Sequence, residues 1–342
     1  MPIYTVLGPI EPHELGMTSM HEHVFCDGWA WVEPPAREEM PEDPVVKMEN
    51  LGFIRYNLLS LADNMVIDDA ENAVEELSRF RALGGSGIMD QTSIGFGRRA
   101  EDLPDISRRT GLHIMAGAGF YIDPSHPDYV ETSSHDELVE GMVKELREGI
   151  GDTGIRPAML GEIGTGDPVT DREWKVLRAV GDAAAETGTA VNIHMDARGE
   201  HSPAVLKVLT KCGVDPGRCV FSHLDERPKY DYHRAVLDEG GVVEYDTWGA
   251  EFWIGALFKD PTDLERFELV SRLIKEGWEK QLVFACDIWT KAHLRKYGGM
   301  SYEHLLLRVK PSLIDDWAVS PESLETILVE NPRRILNRPA VH

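Results

Sequence analysis

The 342-residue chain is poor in cysteine and in basic residues. Its four cysteines, Cys26, Cys212, Cys219 and Cys286, have no CxxC spacing, which argues against a disulfide scaffold and against a thiolate zinc site. Lys and Arg number 35 against 59 Asp and Glu, so the formal net charge is −24. Nucleic acids and anionic membranes are bound through clustered Lys and Arg, so neither is expected as a partner.

Long apolar runs and several functional signatures are also missing. No run of about 18 apolar residues occurs, so no membrane-spanning helix is expected. The opening MPIYTVLGPI has no basic segment followed by an apolar one, unlike a signal peptide, and we expect a cytoplasmic protein. There is no Gly-x-Ser-x-Gly nucleophile motif. The run GAGFYI lacks the third glycine of a dinucleotide-binding loop, so an NAD dehydrogenase is supported only by an incomplete motif.

The chain does contain one repeated pattern. Eight short apolar runs end in polar residues, and seven of them follow an amphipathic stretch: GMTSMHEH, GIMDQT, LHIMAGAG, PAMLGEIG, TAVNIHMD, RCVFSHLD, VVEYDT and QLVFACD. Apolar strands separated by helices are typical of a parallel sheet that is buried on both faces. Eight such units predict an α/β protein with a (β/α)8 TIM barrel. A doubly wound open sheet is the alternative that periodicity alone cannot separate.

The repeat runs through the whole chain, so we predict one domain over residues 1–342. Only the segment at about 26–64 interrupts it, with the proline- and acid-rich PPAREEMPEDP. We interpret this segment as a long first βα loop. Such loops carry binding residues in many barrels, but they also occur as solvated surface segments, and both readings stay open.

Polar residues close several of the predicted strands. The first strand ends in His21, Glu22 and His23. Side chains alternate along a strand, so the two histidines point to one side and Glu22 to the other. Two imidazoles on one side can bind a divalent cation such as zinc. An isolated HxH is a weak signal, because any histidine-rich loop can produce it.

Further candidates close four other strands, namely Glu162, His194, His223 and Asp287. In a (β/α)8 enzyme the carboxyl ends of the strands meet at one rim, where the reactive residues lie. Taken singly, His194 or His223 is more often a hydrogen-bonded core residue, and Glu162 could form an ordinary ion pair at the barrel mouth. Together, four buried imidazoles and two carboxylates are costly without a cation. The set therefore predicts a binuclear metal centre, with Glu162 able to bridge two ions.

These residues resemble those of the phosphotriesterase-related family of the amidohydrolase superfamily. GMTSMHEHVF is similar to that family's opening, and VNIHMD, FSHLDE and FACDIWTKAHLRKYGGMSYEHLL resemble its strands five, six and eight. The resemblance implies a barrel that holds two divalent metal ions, zinc above all, although manganese, cobalt or nickel would suit the same ligands. It assigns His21, His23 and Asp287 to one ion and His194 and His223 to the other. It also implies a homodimer.

The bridging position separates two branches of that family. Phosphotriesterases and related lactonases use a carboxylated lysine there, whereas this chain has Glu162 in LGEIG. It therefore resembles the glutamate-bridged branch, which includes the phosphotriesterase homology proteins. We expect a hydrolase that uses a metal-bridging hydroxide to cleave a carboxylic ester, lactone or amide of a small molecule. A phosphotriester or phosphoester hydrolase is the alternative, and a non-catalytic binding barrel is a more distant one.

Other side chains are candidates for catalysis and substrate binding. Asp287, as a metal-bound carboxylate next to the nucleophile, is the expected proton acceptor. Tyr121 follows strand three, where related lactonases have a tyrosine, and Trp248 and Trp289 follow strands seven and eight. Arg227, in the loop after His223, could pair with a substrate carboxylate. Each tryptophan could equally pack a loop against the barrel, and a loop cation is more often solvated.

Overall fold

Eight parallel strands form one sheet in the computed structural model, which describes residues 2–36 and 38–338. Residues 1 and 339–342 of the predicted domain, and residue 37 of the predicted loop, lie outside the described residues. Each strand is hydrogen-bonded to the next along the chain. The strands are β1 Thr18–Glu22, β2 Gly87–Asp90, β3 His113–Ala118, β4 Met159–Ile163, β5 Ala190–His194, β6 Cys219–Ser222, β7 Val242–Tyr245 and β8 Leu282–Phe284.

Helices alternate with these strands, and several begin at side-chain caps. Ser134, Thr170 and Thr262 each form a capping box with a glutamate three residues later, which satisfies backbone N–H groups that have no partner in the first turn. None of the described helices is long and apolar enough to cross a membrane. The α-helices are α1 Leu51–Tyr56, α2 Ala70–Ala82, α3 Leu103–Thr110, α4 Asp128–Thr132, α5 His135–Glu148, α6 Asp171–Thr187, α7 Ser202–Lys211, α8 Tyr230–Leu237, α9 Asp263–Lys275, α10 Lys310–Asp315, α11 Pro321–Glu325 and α12 Asn331–Leu336.

The sheet curls until its first and last strands meet. Glu22, at the end of β1, accepts hydrogen bonds from the backbone N–H groups of Cys286 at 2.9 Å and Ile288 at 3.0 Å, just beyond β8. The backbone N–H of Asp287 also donates to the carbonyl of His21 at 3.2 Å. The eight strands therefore form a nearly closed barrel, which confirms the predicted (β/α)8 class over an open doubly wound sheet.

Side chains fill the barrel interior in layers. A fully buried methionine from each of β1 to β4 lies in the lower layer, together with valines from β6, β7 and β8. Alternate residues of a strand point inward, so the next inward layer lies two positions further along each strand, toward the carboxyl ends. This layer contains the buried polar residues Gln91, Asn192, Ser222 and Glu244. A packed apolar layer therefore lies beneath the polar residues at the carboxyl ends of the strands.

The mouth of the barrel has its own apolar cluster, which lies above the carboxyl ends of the strands. The segment between β1 and α2 meets the loop after β7, where Leu58 N–H donates to the carbonyl of Trp253 at 3.2 Å. We call the following residues the mouth cluster: Val46, Phe53, Ile54, Leu58, Leu59, Leu61, Met65, Ile254 and Ala292. The bounds 26–64 for the loop and 1–342 for a single domain stay predictions.

Candidate active site

Six side chains from five strand ends converge at the barrel mouth, and we call them the ligand cluster. The carboxylate of Glu162 lies at their centre. Its Oε1 is 2.7 Å from His194 Nδ1, 2.8 Å from His223 Nε2 and 3.7 Å from His21 Nε2. The structure thus brings together all six predicted ligands: His21, His23, Glu162, His194, His223 and Asp287.

The ligand cluster divides into two groups that share Glu162. One ligand atom each from His21, His23 and Glu162 lie within 4.8 Å of one another, and the same holds for Glu162, His194 and His223. Asp287 belongs with the first group, because its Oδ1 is 3.3 Å from His23 Nε2 and 3.7 Å from His21 Nε2. The chemistry of the donors, imidazole nitrogen and carboxylate oxygen, suits divalent transition metals.

A buried polar network beneath the cluster fixes the orientation of His21. Its Nδ1 lies 3.3 Å from Glu244 Oε2, and that oxygen also accepts from Asn192 Nδ2 at 2.7 Å and from Ser222 Oγ at 3.3 Å. A carboxylate oxygen can only accept, so the imidazole proton of His21 sits on Nδ1. Its buried Nε2, which has no hydrogen-bond partner among the described residues, faces Glu162 and Asp287 at 3.7 Å from each, where it can carry a second proton or bind a metal ion.

Two more histidines are held in the same way. Thr92 Oγ1 donates to the carbonyl of Phe25 at 3.1 Å and so accepts from His23 Nδ1 at 2.9 Å. Asp246 Oδ1 lies 3.2 Å from His223 Nδ1 and accepts from that residue's backbone N–H at 3.0 Å. In both residues Nε2 faces a carboxylate oxygen, at 2.8 Å between His223 and Glu162 and at 3.3 Å between His23 and Asp287. Either a proton or a metal ion between nitrogen and oxygen satisfies such a contact, so these residues fit a metal.

The electrostatics of the cluster favour positive charge. Burial alone would raise the pKa of Glu162, but His194 and His21 hold it well below its usual range. Burial would lower the pKa of His21, but Glu162 and Glu244 hold it well above 6.5. The carboxylates thus draw protons onto buried imidazoles, and bound metal ions would supply the same compensating charge.

Two members of the cluster have strained backbones. His223 has φ +60° and Asp287 has φ +46°, in the left-handed region that residues with a side chain seldom adopt. Such conformations cost about 1–3 kcal/mol each and are concentrated at functional sites. Both residues leave the strand direction at the rim, where the His223 side chain contacts Glu162 and the Asp287 side chain contacts His23.

A pocket opens directly above the cluster. Its polar wall residues include Asp196 and Glu226. We call these two and the following apolar and aromatic residues the cavity wall: Trp31, Leu59, Phe96, Tyr121, Ile254, Leu257, Phe258 and Trp289. The predicted substrate-binding residues Tyr121 and Trp289 lie in this wall, and Tyr121 Oη accepts a hydrogen bond from Trp31 Nε1 at 3.0 Å.

The other two predicted substrate-binding residues do not reach the cavity. Trp248 is only 1% exposed and packs among Tyr245, Phe267 and Phe284, so its ring belongs to the core behind β7 and β8. The Arg227 guanidinium donates to the carboxylate of Glu200 at 2.9 Å and to two loop carbonyls. The Trp248 ring is buried in the core and the Arg227 guanidinium is bound within the protein, so the expectation that they bind substrate is not supported.

Sequence reasoning missed the residues behind the ligands. Glu244 and Asp246 lie at the end of β7, in the run VVEYDT, and the polar residues that close this strand are the signal that could have found them. Glu226 follows His223 by three residues and lines the cavity. The wall residues Leu59, Ile254, Leu257 and Phe258 come from loops without a recognisable pattern.

Comparison with known sequences identifies the family. The model of the phosphotriesterase family matches residues 1–336. N-acetyltaurine hydrolase of Rattus norvegicus is 36% identical over 343 residues, which cover 98% of this chain and 97% of that protein. The chain therefore belongs to the phosphotriesterase family, as its motifs predict, and its relatives include hydrolases of an amide.

Solved structures agree with this assignment. A resiniferatoxin-binding protein from Rhodobacter sphaeroides superposes with a TM-score of 0.93 at 30% identity, covering 98% of this chain and 94% of that one. A lactonase from Listeria monocytogenes has a TM-score of 0.82 at 25% identity, with 99% and 100% coverage. The phosphotriesterase homology protein of Escherichia coli, with phosphate in its active site, has a TM-score of 0.77 at 25% identity, with 96% and 100% coverage.

Proposed function

We propose that this protein is a metal-dependent hydrolase that cleaves a carboxyl derivative, an amide, ester or lactone, of a small molecule. The observation that carries the proposal is the pair of ligand groups that share Glu162. Relatives that hydrolyse an amide and a structural neighbour that is a lactonase support the carboxyl chemistry.

The ligand cluster would hold two divalent metal ions. His21, His23 and Asp287 would bind one ion, His194 and His223 the other, and Glu162 would bridge them. The unpartnered Nε2 of His21, which is buried and faces two carboxylates, supports this assignment. Zinc suits these ligands, as do manganese, cobalt and nickel. Bound divalent cations lower the pKa of water and polarise a carbonyl oxygen.

The chain's own residues would move the protons. Burial raises the pKa of Asp287, but the neighbouring His23 and His223 hold it below its usual range. Asp287 is therefore ionised, and its carboxylate can accept the proton of the attacking water. Burial and the nearby Asp260 raise the pKa of Glu226 well above its usual range. Its protonated carboxyl, on the cavity wall, can donate to the leaving nitrogen or oxygen.

Tyr121 would orient the substrate. Burial and the nearby Glu162 raise the pKa of its phenol well above 10, so the hydroxyl stays protonated. Its oxygen already accepts the Trp31 indole N–H, which leaves the hydroxyl proton for a substrate oxygen. The aromatic wall would pack against the rest of the substrate.

A substrate panel tests the proposal. Lactones, aryl esters, N-acyl amines and phosphotriesters are compared by kcat/KM at matched metal loading. We expect a carboxyl derivative to exceed every phosphotriester. A phosphotriester that is better by tenfold or more, about 1.4 kcal/mol of transition-state preference, would contradict the proposal and favour the alternative of phosphoester hydrolysis. Failure to hydrolyse any member would favour a non-catalytic binding barrel.

A further inference from the structure

The cavity wall has no cation for an anionic substrate. Among the described residues that line the cavity, none is Lys or Arg. Its acidic groups outside the ligand cluster are the carboxyl groups of Asp196 and Glu226. Any negative group of a substrate that lies away from the ligand cluster therefore meets carboxyl, apolar or neutral aromatic side chains and no cation of the wall.

The cations adjacent to wall residues in the sequence are already bound by carboxylates or by a backbone carbonyl. Arg198 forms a forked pair with Asp196, with Nε at 2.8 and 3.1 Å from its two oxygens. Arg227 and Lys229, which follow Glu226, both contact Glu200 Oε1, at 2.9 and 2.7 Å. The side chain of Lys259, next to Phe258, donates to the carbonyl of Asp260 at 3.2 Å. Recruiting any of these cations would break an existing contact.

The outer part of the wall is apolar. Leu59 and Ile254 belong to the mouth cluster and are buried, and Leu257 and Phe258 pack against that cluster. Burying apolar surface against such a wall stabilises a complex. Burying an anion there without a partner is unfavourable, because the anion loses its hydration. The wall therefore discriminates strongly by the charge of the group that it contacts.

We propose that the natural substrate carries a neutral, apolar group beyond its scissile carbonyl, and that substrates with a sulfonate or carboxylate at that position are disfavoured. This inference rests on the proposed function and names the substrate class of the same site. It predicts that this chain disfavours N-acetyltaurine, the compound named for its relatives, because N-acetyltaurine ends in a sulfonate.

Two matched pairs of substrates test the inference with the metal-loaded enzyme. N-(3,3-dimethylbutyl)acetamide replaces the sulfonate of N-acetyltaurine with a tert-butyl group of similar shape. 4-Nitrophenyl hexanoate and the 4-nitrophenyl monoester of adipic acid share a leaving group and a chain length but differ in terminal charge. We expect kcat/KM of the neutral member to be at least tenfold higher in each pair that is hydrolysed. A smaller ratio, or a preference for the anion, would overturn the inference.

Binding without turnover separates this inference from the proposed function. 6,6-Dimethylheptan-2-one and 4-oxopentane-1-sulfonate replace the amide nitrogen of the first pair with carbon and cannot be hydrolysed. Calorimetric titration should give at least tenfold tighter binding of the neutral ketone. If no substrate is hydrolysed but the neutral ketone binds tighter, the proposed function fails and the inference stands. Equal or tighter binding of the sulfonate overturns it.

A charge placed in the wall should reverse the preference. Leu257 is partly exposed and lines the cavity, so Leu257→Lys can place an ammonium there with its stem along the wall. We expect the anionic-to-neutral ratio of kcat/KM to rise at least tenfold, while Leu257→Met, similar in length and uncharged, keeps the original ratio. An unchanged ratio in a folded Leu257→Lys protein would contradict the inference. If that variant does not fold, the substrate and ketone pairs decide.

Discussion

The ligand cluster and the cavity wall adjoin each other but are built by different parts of the chain. Members of the ligand cluster lie at or just after the ends of barrel strands, where neighbouring strands fix their positions. Much of the wall comes from the segment after β1 and the loops after β7 and β8. The comparison indicates that the barrel strands position the ligand cluster, whereas the loops shape the cavity through which a substrate would reach it.

The two regions are also stabilised differently. Buried hydrogen bonds hold the ligand cluster, as between His21 and Glu244 or His223 and Asp246. The outer wall is held by apolar packing within the mouth cluster. Substitutions in the first region should therefore change metal binding and turnover together, whereas substitutions in the second should change substrate preference at constant metal content.

The largest effect is expected for Glu162→Gln. The amide keeps the shape but removes the charge that would compensate two dications, so the second ion should bind weakly and turnover should fall at least about a thousandfold. Metal content and kcat are measured on the same preparation. Glu140→Gln, on the exposed face of α5, is the matched control and should change neither. Near-normal activity of Glu162→Gln would show that the charge of Glu162 is not needed for metal binding or turnover.

Asp246→Asn should have the next largest effect. Asp246 contacts Nδ1 of both His223 and His21, at 3.2 and 3.3 Å, and thereby fixes which imidazole nitrogen faces the cavity. Loss of such a supporting carboxylate weakens metal affinity about 10- to 100-fold. Competition with a chromogenic chelator measures it. Asp238→Asn serves as control, because Asp238 lies just after α8 and forms an ion pair with Arg234 at the surface. Unaltered affinity in Asp246→Asn would show that the network beneath the ligands is dispensable.

Trp289→Ala should separate the wall from the ligand cluster. Its ring lines the cavity and lies 6.1 Å from that of Phe96. We expect kcat/KM for an apolar aryl ester to fall about 10- to 100-fold, with metal content unchanged. Trp278→Ala, before β8 at the opposite end of the barrel, should lower stability without this kinetic loss. Metal lost together with activity in Trp289→Ala would break the distinction between the two regions.

A smaller effect, on stability, is expected from substituting His293, which lies behind the wall residue Trp289. His293 is buried between Trp289 and Phe252, and burial lowers its pKa from 6.5 to about 4. Between these values the unfolded chain binds a proton that the folded protein does not, so the free energy of unfolding falls as the pH drops from 6.5 toward 4. In His293→Phe the free energy of unfolding should therefore fall less on acidification, by up to about 3 kcal/mol.

Urea unfolding at pH 7 and pH 4.5 measures that difference. The exposed His13 provides a control, since His13→Gln should lose as much stability on acidification as the unmodified protein. An equal loss in His293→Phe would mean that the layer behind the wall is accessible to water and protons.

The fold could be predicted almost completely from the sequence, because parallel strands that are buried on both faces leave continuous apolar runs. LHIMAGAG, for example, contains β3, and TAVNIHMD contains β5. The six side chains of the ligand cluster could also be identified, since histidine and carboxylate at strand ends are conspicuous. Whether they bind metal stays a prediction.

Contacts between distant residues could not be predicted. Arg227 pairs with Glu200, which lies 27 positions earlier, and nothing in either segment indicates this contact. Trp248 resembles a binding residue by its place after β7, yet its ring packs against Phe267 and Phe284. Glu244 contacts His21 from beneath the ligand cluster and is not among the residues that line the cavity. Long-range packing decides which polar and aromatic residues face a cavity.

The metal content of the purified protein tests the central claim most directly. Elemental analysis after growth with added zinc or manganese, referred to protein concentration, gives the number of divalent ions per chain. Two groups of ligands that share Glu162 predict about two ions per chain. One ion or none, in protein whose six cluster side chains are unaltered, would contradict the account.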